Sequence, residues 1–99
     1  MLYDDKWQDA YYHALHKCAE RYRDMIEEGI EIDDLSPEMI ELRNFTYEFM
    51  FGTRDKLPLL KLNRWLGYIQ GVLIERGYTS VTAERDWTRP LFRPLDFAS

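Results

Sequence analysis

The sequence predicts an all-α fold, a small helical domain of three main helices followed by a short fourth helix and an extended C-terminal arm. Apolar residues recur at three- and four-residue intervals through three long segments, a spacing that collects them on one face of a helix. Residues that commonly begin or end helices stand at the borders of these segments. No segment has the alternation of apolar and polar residues that is typical of a strand. We therefore expect a helical domain over residues 1–89 and an extended, proline-containing arm over residues 90–99.

The first predicted helix runs from about Asp4 to Glu28. Gly29 is well placed as its C-terminal stop, because glycine readily adopts the left-handed conformation that often ends a helix. The apolar residues of this segment define the face that should meet the rest of the domain. That face comprises Trp7, Tyr11, Ala14, Leu15, Cys18, Tyr22, Met25 and Ile26.

The second predicted helix has start signals at Ser36 and Pro37. A serine side chain can accept a hydrogen bond from an unpaired backbone N–H at a helix start, and proline suits the first helical position. The helix should extend to about Phe51 and stop at Gly52.

The third predicted helix begins at Pro58, extends to Gly77 and carries apolar or small residues on two opposite faces. Because such a helix usually has neighbours on both sides, we expect it to be the spine of the domain. Gly67 and Gly71 lie on its second face, and a glycine in a helix interior costs about 1 kcal/mol relative to alanine. The pair therefore indicates close approach, either by another helix of this chain or by a second copy.

Thr79 or Ser80 should cap a short fourth helix that ends before Pro90, because the residue before a proline disfavours the helical conformation. Pro90 and Pro94 should prevent an amphipathic helix beyond this point, which predicts an extended tail. The apolar residues of the tail either fold back onto the domain or present a linear motif to a partner, and the sequence leaves both open.

Composition favours a soluble, cytoplasmic protein of one domain. The 99 residues, 45% hydrophobic and 31% charged, suit a single globular domain. Cys18 is the only cysteine, so no intramolecular disulfide can form and a reducing compartment fits best. No apolar run approaches the roughly 20 residues that span a bilayer, and the N-terminus lacks the features of a signal peptide.

Asp9, His13, His16 and Glu20 fall on one side of the first helix, a combination of side chains that can bind a metal ion. They lie opposite the apolar face, where any amphipathic helix places its polar residues, so we assign no metal site. Cys18 belongs to the apolar face, where a thiol is usually inert. No nucleophile elbow, phosphate-binding glycine loop or zinc-type cysteine pair occurs. We therefore predict that the protein is not an enzyme and uses no cofactor.

The charge of the chain, −5 overall, is unevenly distributed. Residues 24–41 contain many acidic side chains and no Lys or Arg, which indicates either a solvated surface or an acidic patch that docks on a basic partner. The C-terminal third combines arginines with Trp87 and Phe92, a mixture that can bind nucleic acid. Glu84, Asp86 and the acidic chain as a whole argue against direct nucleic-acid binding.

Residues 62–93 contain the segments RWLGYIQGVL and ERDWTRPLF. This region resembles a segment found in small proteins of tailed (lambdoid) bacteriophages and prophages. The acidic, cysteine-poor chain also resembles the anti-RecBCD accessory proteins of lambdoid phages, which bind the host recombination nuclease and modify its activity. The resemblance covers about a third of the chain and assigns no binding residues.

The leading hypothesis is a phage-encoded protein that inhibits or modulates a host nucleic-acid-processing or defence complex, with RecBCD as the best candidate, by protein–protein contact in the host bacterial cytoplasm. An acidic surface suits such targets, because nucleic-acid enzymes present basic channels. The alternatives are a small DNA-binding regulator that uses helices three and four, and an oligomer, such as a homodimer formed through Gly67 and Gly71, that sequesters a nucleotide. The predicted partner contacts are Trp87, Arg89, Leu91, Phe92, Arg93 and Phe97 in the arm and Glu31, Asp33 and Asp34 in the acidic stretch.

Overall fold

Four helices make up most of the described chain. The computed structural model describes residues 5–32 and 35–96. Over those ranges it contains α1 (Asp5–Ile32), α2 (Pro37–Arg54), α3 (Leu59–Glu75) and α4 (Val81–Asp96), and no strand. The predicted all-α class is confirmed. None of these four helices has both the length and the apolar character that a membrane span requires.

α1 is the central element of the fold, because it packs against each of the other three helices. Leu15, Cys18, Tyr22 and Ile26 lie along one of its faces and are fully buried. The expectation that the third helix is the spine is therefore wrong. α3 buries a single stripe of three leucines and one isoleucine, whereas Leu60 on its other side is 81% exposed.

Gly29 and Gly52 lie inside helices, so both predicted stop positions are wrong. A side chain on Gly29 would place its Cβ 2.5 Å from the ring of Tyr78, and one on Gly52 would place it 2.9 Å from a methyl group of Leu57. The absence of a side chain at these two positions lets Tyr78 and Leu57 pack closely against the helices. α1 continues to Ile32 and α2 to Arg54.

The predicted start of α2 is confirmed. The Oγ atom of Ser36 accepts a hydrogen bond from the backbone N–H of Met39 at 3.2 Å, and Pro37 occupies the first helical position. Of the two candidates for the cap of the fourth helix, Ser80 takes this role. Its Oγ atom accepts a hydrogen bond from the backbone N–H of Ala83 at 3.0 Å.

α3 follows Pro58 as predicted and ends at Glu75, close to Gly77, whose φ of 83° lies in the left-handed region. Gly67 and Gly71 lie on the exposed face of α3, and a Cβ added to either would meet no described atom within 4 Å. The predicted close approach by another helix of this chain is therefore wrong at both positions. Self-association through this face stays a prediction.

Replacing both exposed glycines, Gly67→Ala with Gly71→Ala, is expected to raise the free energy of unfolding by about 1–2 kcal/mol, because alanine has the higher helix propensity. Both new methyl groups would enter open space. Urea denaturation followed by circular dichroism measures the change. Gly29→Ala is the matched control and should give no such gain, because its methyl group would collide with the ring of Tyr78. A double variant less stable than the wild type would contradict the account.

α4 is longer than the sequence predicts and continues through Pro90 and Pro94 to Asp96. The prediction of a short fourth helix that ends before Pro90 is wrong. The extended arm expected over residues 90–99 is also wrong for residues 90–96, and residues 97–99 lie outside the described chain.

Packing against α1 keeps the proline-containing half of α4 helical. Leu91 and Phe92 pack against the hydrophobic core, and the ring centroids of Phe92 and Tyr11 are 5.3 Å apart. The Nε1 atom of Trp7 donates a hydrogen bond to the backbone carbonyl of Leu95 at 2.9 Å. Both prolines lie on the exposed side, where water can reach the carbonyl groups that lose their helical donors. These contacts offset the roughly 3 kcal/mol that a proline costs in a helix interior.

Candidate interaction surface

An open groove of about 850 Å³ lies between α2 and α3, and we call it the α2–α3 groove. Phe45 of α2 and Trp65 and Tyr68 of α3 form its aromatic floor. The ring centroid of Phe45 is 5.2 Å from that of Trp65 and 5.3 Å from that of Tyr68, so Phe45 contacts both other rings. The remaining lining residues are Glu38, Glu41, Leu42, Val72, Glu75 and Arg76.

The lining residues lie at positions 38, 41, 42 and 45 of α2 and at 65, 68, 72 and 75 of α3, a spacing that places them on one side of each helix. Leu42 is 3% exposed, and Phe45 and Trp65 are half-buried and pack against the core. The base of the groove is therefore continuous with the hydrophobic core. Tyr68, by contrast, is 57% exposed. An exposed aromatic side chain beside a concave apolar surface is typical of protein–protein contact sites.

Charged side chains surround the aromatic floor. Arg76 donates hydrogen bonds from Nη1 to Glu38 at 2.7 Å and from Nη2 to Ser36 Oγ at 3.3 Å, which connects the end of α3 to the start of α2. Glu41 and Glu75 are exposed at the rim. Carboxylates thus outnumber guanidinium groups among the lining residues, and the groove combines aromatic ring faces with negative charge.

A buried polar cluster joins α1, α3 and α4. Glu84 is 4% exposed, and its carboxylate accepts hydrogen bonds from Arg21 Nη2 at 3.0 Å, from Thr79 Oγ1 at 2.5 Å and from the hydroxyl of Tyr22. Gln70 Nε2 in turn donates to the Tyr22 hydroxyl at 2.8 Å. The cluster therefore fastens α4 to α1 through a buried carboxylate whose oxygens are both hydrogen-bonded.

Hydrogen bonding keeps the carboxylate of this cluster ionised. Burial alone would raise the pKa of Glu84, but the hydrogen bonds from Arg21, Thr79 and Tyr22 outweigh burial and lower the pKa. Burial and the hydrogen bond to Glu84 raise the pKa of Tyr22 far above its ordinary value, so the phenol stays protonated and can donate. The guanidinium carbon of Arg21 also lies 4.7 Å from the ring centroid of Trp87 on α4. We interpret the cluster as structural.

Cys18 is expected to resist thiol reagents while the protein is folded. It is fully buried, and burial, reinforced by the charge of Glu84, raises the pKa of its thiol to about 12. Since the thiolate is the reactive form and only roughly one molecule in ten thousand would carry it at pH 8, reaction would be slow even if a reagent could enter. Ellman's reagent should label Cys18 in guanidinium chloride but not in native buffer. Rapid labelling of the folded protein would contradict this result.

The acidic residues predicted to contact a partner lie only in part within the described chain. Glu31 is exposed in the last turn of α1. Asp33 and Asp34 lie outside the described residues, as does Phe97 at the C-terminus. Partner binding by these residues stays a prediction.

Three apolar residues of the predicted partner-binding arm lie on the packed side of α4, and partner binding by them stays a prediction. Trp87, Leu91 and Phe92 are half-buried and pack against the core. Of the two possibilities that the sequence left open, this part of the chain therefore folds back and does not present a linear hydrophobic motif. Arg89 and Arg93 are exposed on the outer side of α4.

The polar side of α1 contacts the region where α2 ends. Nδ1 of His16 lies 2.8 Å from Oγ1 of Thr53, and Nζ of Lys56 donates a hydrogen bond to Asp9 at 2.6 Å. Among the residues that the structure describes, no group of three or more His, Cys, Asp or Glu side chains is arranged to hold a metal ion.

Sequence reasoning did not identify the α2–α3 groove. Phe45 and Trp65 recur at helical spacing with other apolar residues of α2 and α3, and both pack against the core. The available signal was Tyr68, an aromatic residue outside the buried stripe of α3, which comprises Leu62, Leu66, Ile69 and Leu73. An aromatic residue outside the buried stripe has to face solvent or a partner.

Comparison of the chain with protein-family models, with curated proteins and with solved structures gives no match.

Proposed function

We propose that this protein is a non-catalytic, phage-encoded binding protein that inhibits or modulates a host nucleic-acid-processing or defence complex by direct protein–protein contact. The observation that carries the proposal is the α2–α3 groove, whose aromatic floor is open to solvent beside exposed carboxylates. The resemblance of residues 62–93 to small phage proteins supports the phage origin and the class of target. The RecBCD recombination nuclease is our specific candidate.

Recognition suits the groove better than catalysis does. Aromatic side chains supply most of the binding energy in many protein interfaces, and Tyr68 and Trp65 offer two of them side by side on α3. The groups with the most perturbed pKa values, Tyr22 and Cys18, lie instead in the buried region around Glu84. Because these groups are closed to solvent, they cannot reach a substrate.

The charge of the protein fits a basic target. The chain carries a net charge of −5, and Glu41 and Glu75 add local negative charge at the rim of the groove. Enzymes that bind nucleic acids present positively charged channels, which attract acidic proteins over several ångströms and speed their association. An acidic groove with an aromatic floor can therefore combine long-range attraction with close apolar contact.

Affinity isolation from a bacterial lysate treated with nuclease tests the proposal. We expect the tagged wild type to recover a subunit of a nuclease, helicase or defence complex, and Tyr68→Ala to reduce this recovery about tenfold, as loss of a central interface aromatic typically does. Phe51→Ala is the matched control, because Phe51 is a 51% exposed aromatic residue of α2 outside the groove. Equal recovery by wild type and Tyr68→Ala would contradict a role for the groove.

A second candidate function is direct DNA binding, which an arginine stripe on α4 favours. Arg85, Arg89 and Arg93 recur every four residues and are all exposed. Fluorescence anisotropy with duplex DNA should then reveal an affinity that falls steeply with salt and is lost in the variant Arg85→Ala with Arg89→Ala. Absence of binding at low salt would eliminate this candidate.

A further inference from the structure

We propose that the α2–α3 groove binds an arginine-bearing segment of the partner protein, with a guanidinium group held between the aromatic floor and the carboxylates of the rim. This inference rests on the proposed function and specifies the chemistry that the groove recognises. A guanidinium group is planar and weakly hydrated, so it can stack on an aromatic ring while its N–H groups bind carboxylates.

The aromatic floor contains three rings on which a planar cation can stack. Phe45 contacts both Trp65 and Tyr68, with interplanar angles of 56° and 83° respectively, so the rings form a bent surface and not a flat stack. A cation within about 6 Å of a ring centroid is attracted by the negative face of the ring. Tyr68, at 57% exposed, is the ring most open to an incoming group.

The chain itself places cations near its aromatic rings at four described sites, and two of them bear on the proposed arrangement. Nζ of Lys61 lies 5.4 Å from the ring centroid of Trp65, which belongs to the groove floor. The guanidinium carbon of Arg21 lies 4.7 Å from the ring centroid of Trp87 while its Nη2 donates to Glu84 at 3.0 Å. The second site is an internal example of the proposed arrangement, a guanidinium group between an aromatic ring and a carboxylate.

The charge of the groove selects a cation and disfavours an anion. Arg76 donates to Glu38 at 2.7 Å, and this internal pair offsets one carboxylate of the lining. Glu41 and Glu75 remain exposed at the rim, where an incoming guanidinium group can reach them. A phosphate or an acidic peptide would meet these carboxylates and be repelled. The charge complementarity therefore indicates a basic protein segment.

A short peptide of alternating arginine and glycine tests the inference, with the same peptide carrying citrulline in place of arginine as the neutral control. Titration is followed by the indole N–H signal of Trp65 in heteronuclear NMR spectra, assigned with Trp65→Phe. We expect saturable shifts of this signal and of α2 and α3 amides with the arginine peptide, and affinity about tenfold lower with the citrulline peptide.

Variants locate the binding site. Glu41→Gln with Glu75→Gln should weaken the arginine peptide about tenfold, because both rim carboxylates lose their charge. Glu48→Gln, which neutralises an exposed carboxylate of α2 outside the groove, should leave the affinity unchanged. Equal affinity for the two peptides, shifts confined to other surfaces, or an unchanged affinity in the double variant would each overturn the inference.

Two results separate this inference from the proposed function. If a lysate partner is lost with Tyr68→Ala but retained by Glu41→Lys with Glu75→Lys, the groove binds a partner and the inference about arginine is wrong. If the arginine peptide binds the groove but no host complex is recovered from lysate, the inference stands and the proposed function fails. Sedimentation of the wild type as a dimer that Tyr68→Ala dissociates would place a second copy in the groove and overturn the inference.

Discussion

Glu84→Ala is expected to lower the free energy of unfolding by about 3 kcal/mol, because it removes the acceptor of a buried, charged hydrogen-bond cluster. The substitution leaves the hydroxyl of the fully buried Tyr22 without its acceptor and Arg21 without its counter-ion. The side chain of Arg21 is 27% exposed, so water can compensate it in part. The loss should therefore fall at the lower end of the roughly 3–5 kcal/mol typical of a broken buried pair.

Urea denaturation of the purified variants measures this loss. Asp86→Ala is the matched control, because Asp86 is an exposed acidic residue on the same helix, and its replacement should change stability by less than about 0.5 kcal/mol. Glu84→Gln retains a hydrogen-bond acceptor and should fall between the alanine variant and the wild type. Equal stability of Glu84→Ala and Asp86→Ala would mean that the buried cluster does not fasten α4.

Lowering the pH should remove the contribution of the Glu84 carboxylate to the free energy of unfolding in the wild type. Hydrogen bonds lower the pKa of Glu84 below its ordinary value of 4.5 in the folded protein. The carboxylate therefore stabilises the fold fully above the unfolded-state pKa, and its contribution is lost as the pH falls through the lower folded-state pKa. The stability difference between wild type and Glu84→Gln should consequently shrink below about pH 4. A difference that stays constant down to pH 2 would contradict the assigned ionisation.

Leu91→Ala with Phe92→Ala is expected to lower the free energy of unfolding by about 3 kcal/mol and to melt α4 beyond Pro90. Both side chains pack against the core, and Phe92 contacts the ring of Tyr11. The variant keeps both prolines, each of which costs a helix roughly 3 kcal/mol, but loses the contacts that offset this cost.

Urea denaturation and hydrogen exchange measured by mass spectrometry test the double variant. Backbone amides of residues 91–93, 95 and 96 should lose their protection while those of α1 remain protected at low urea. Arg89→Ala is the control, because Arg89 is exposed on the same helix. If the double variant keeps wild-type stability and protection, the C-terminal segment is independent of the core and the assigned packing is wrong.

The sequence predicts α2 well because its start depends on local chemistry. Ser36 and Pro37 act within one helical turn, so their roles can be identified without knowledge of the fold. Local preferences also predict that helices end at Gly29 and before Pro90, but both residues lie inside helices. Contacts from distant parts of the chain hold both residues inside helices. Tyr78 packs against Gly29, and α1 packs against the proline-containing half of α4. Tertiary packing outweighs local preference at both positions.

The sequence does not predict the groove or the buried cluster, because both are formed by residues that are distant along the chain. Glu84 has Arg85 and Arg89 close to it in the chain, yet it pairs with Arg21, which lies 63 residues away. The groove forms where the aromatic residues of α2 and α3 meet, and neither helix alone indicates that Phe45 and Trp65 line an open groove. Phe45 and Trp65 match a buried stripe equally well, and only the position of Tyr68 departs from it.

Site-specific photo-crosslinking in bacterial cells tests the central claim that the partner occupies the α2–α3 groove. The photoreactive residue p-benzoylphenylalanine replaces Tyr68 in the groove, Phe51 on α2 outside it, or Arg89 on the outer side of α4. We expect the Tyr68 position to form a covalent adduct with a host nuclease, helicase or defence subunit, and the Phe51 position to form none. A host adduct from the Arg89 position with none from the Tyr68 position would contradict the claim and assign partner binding to α4.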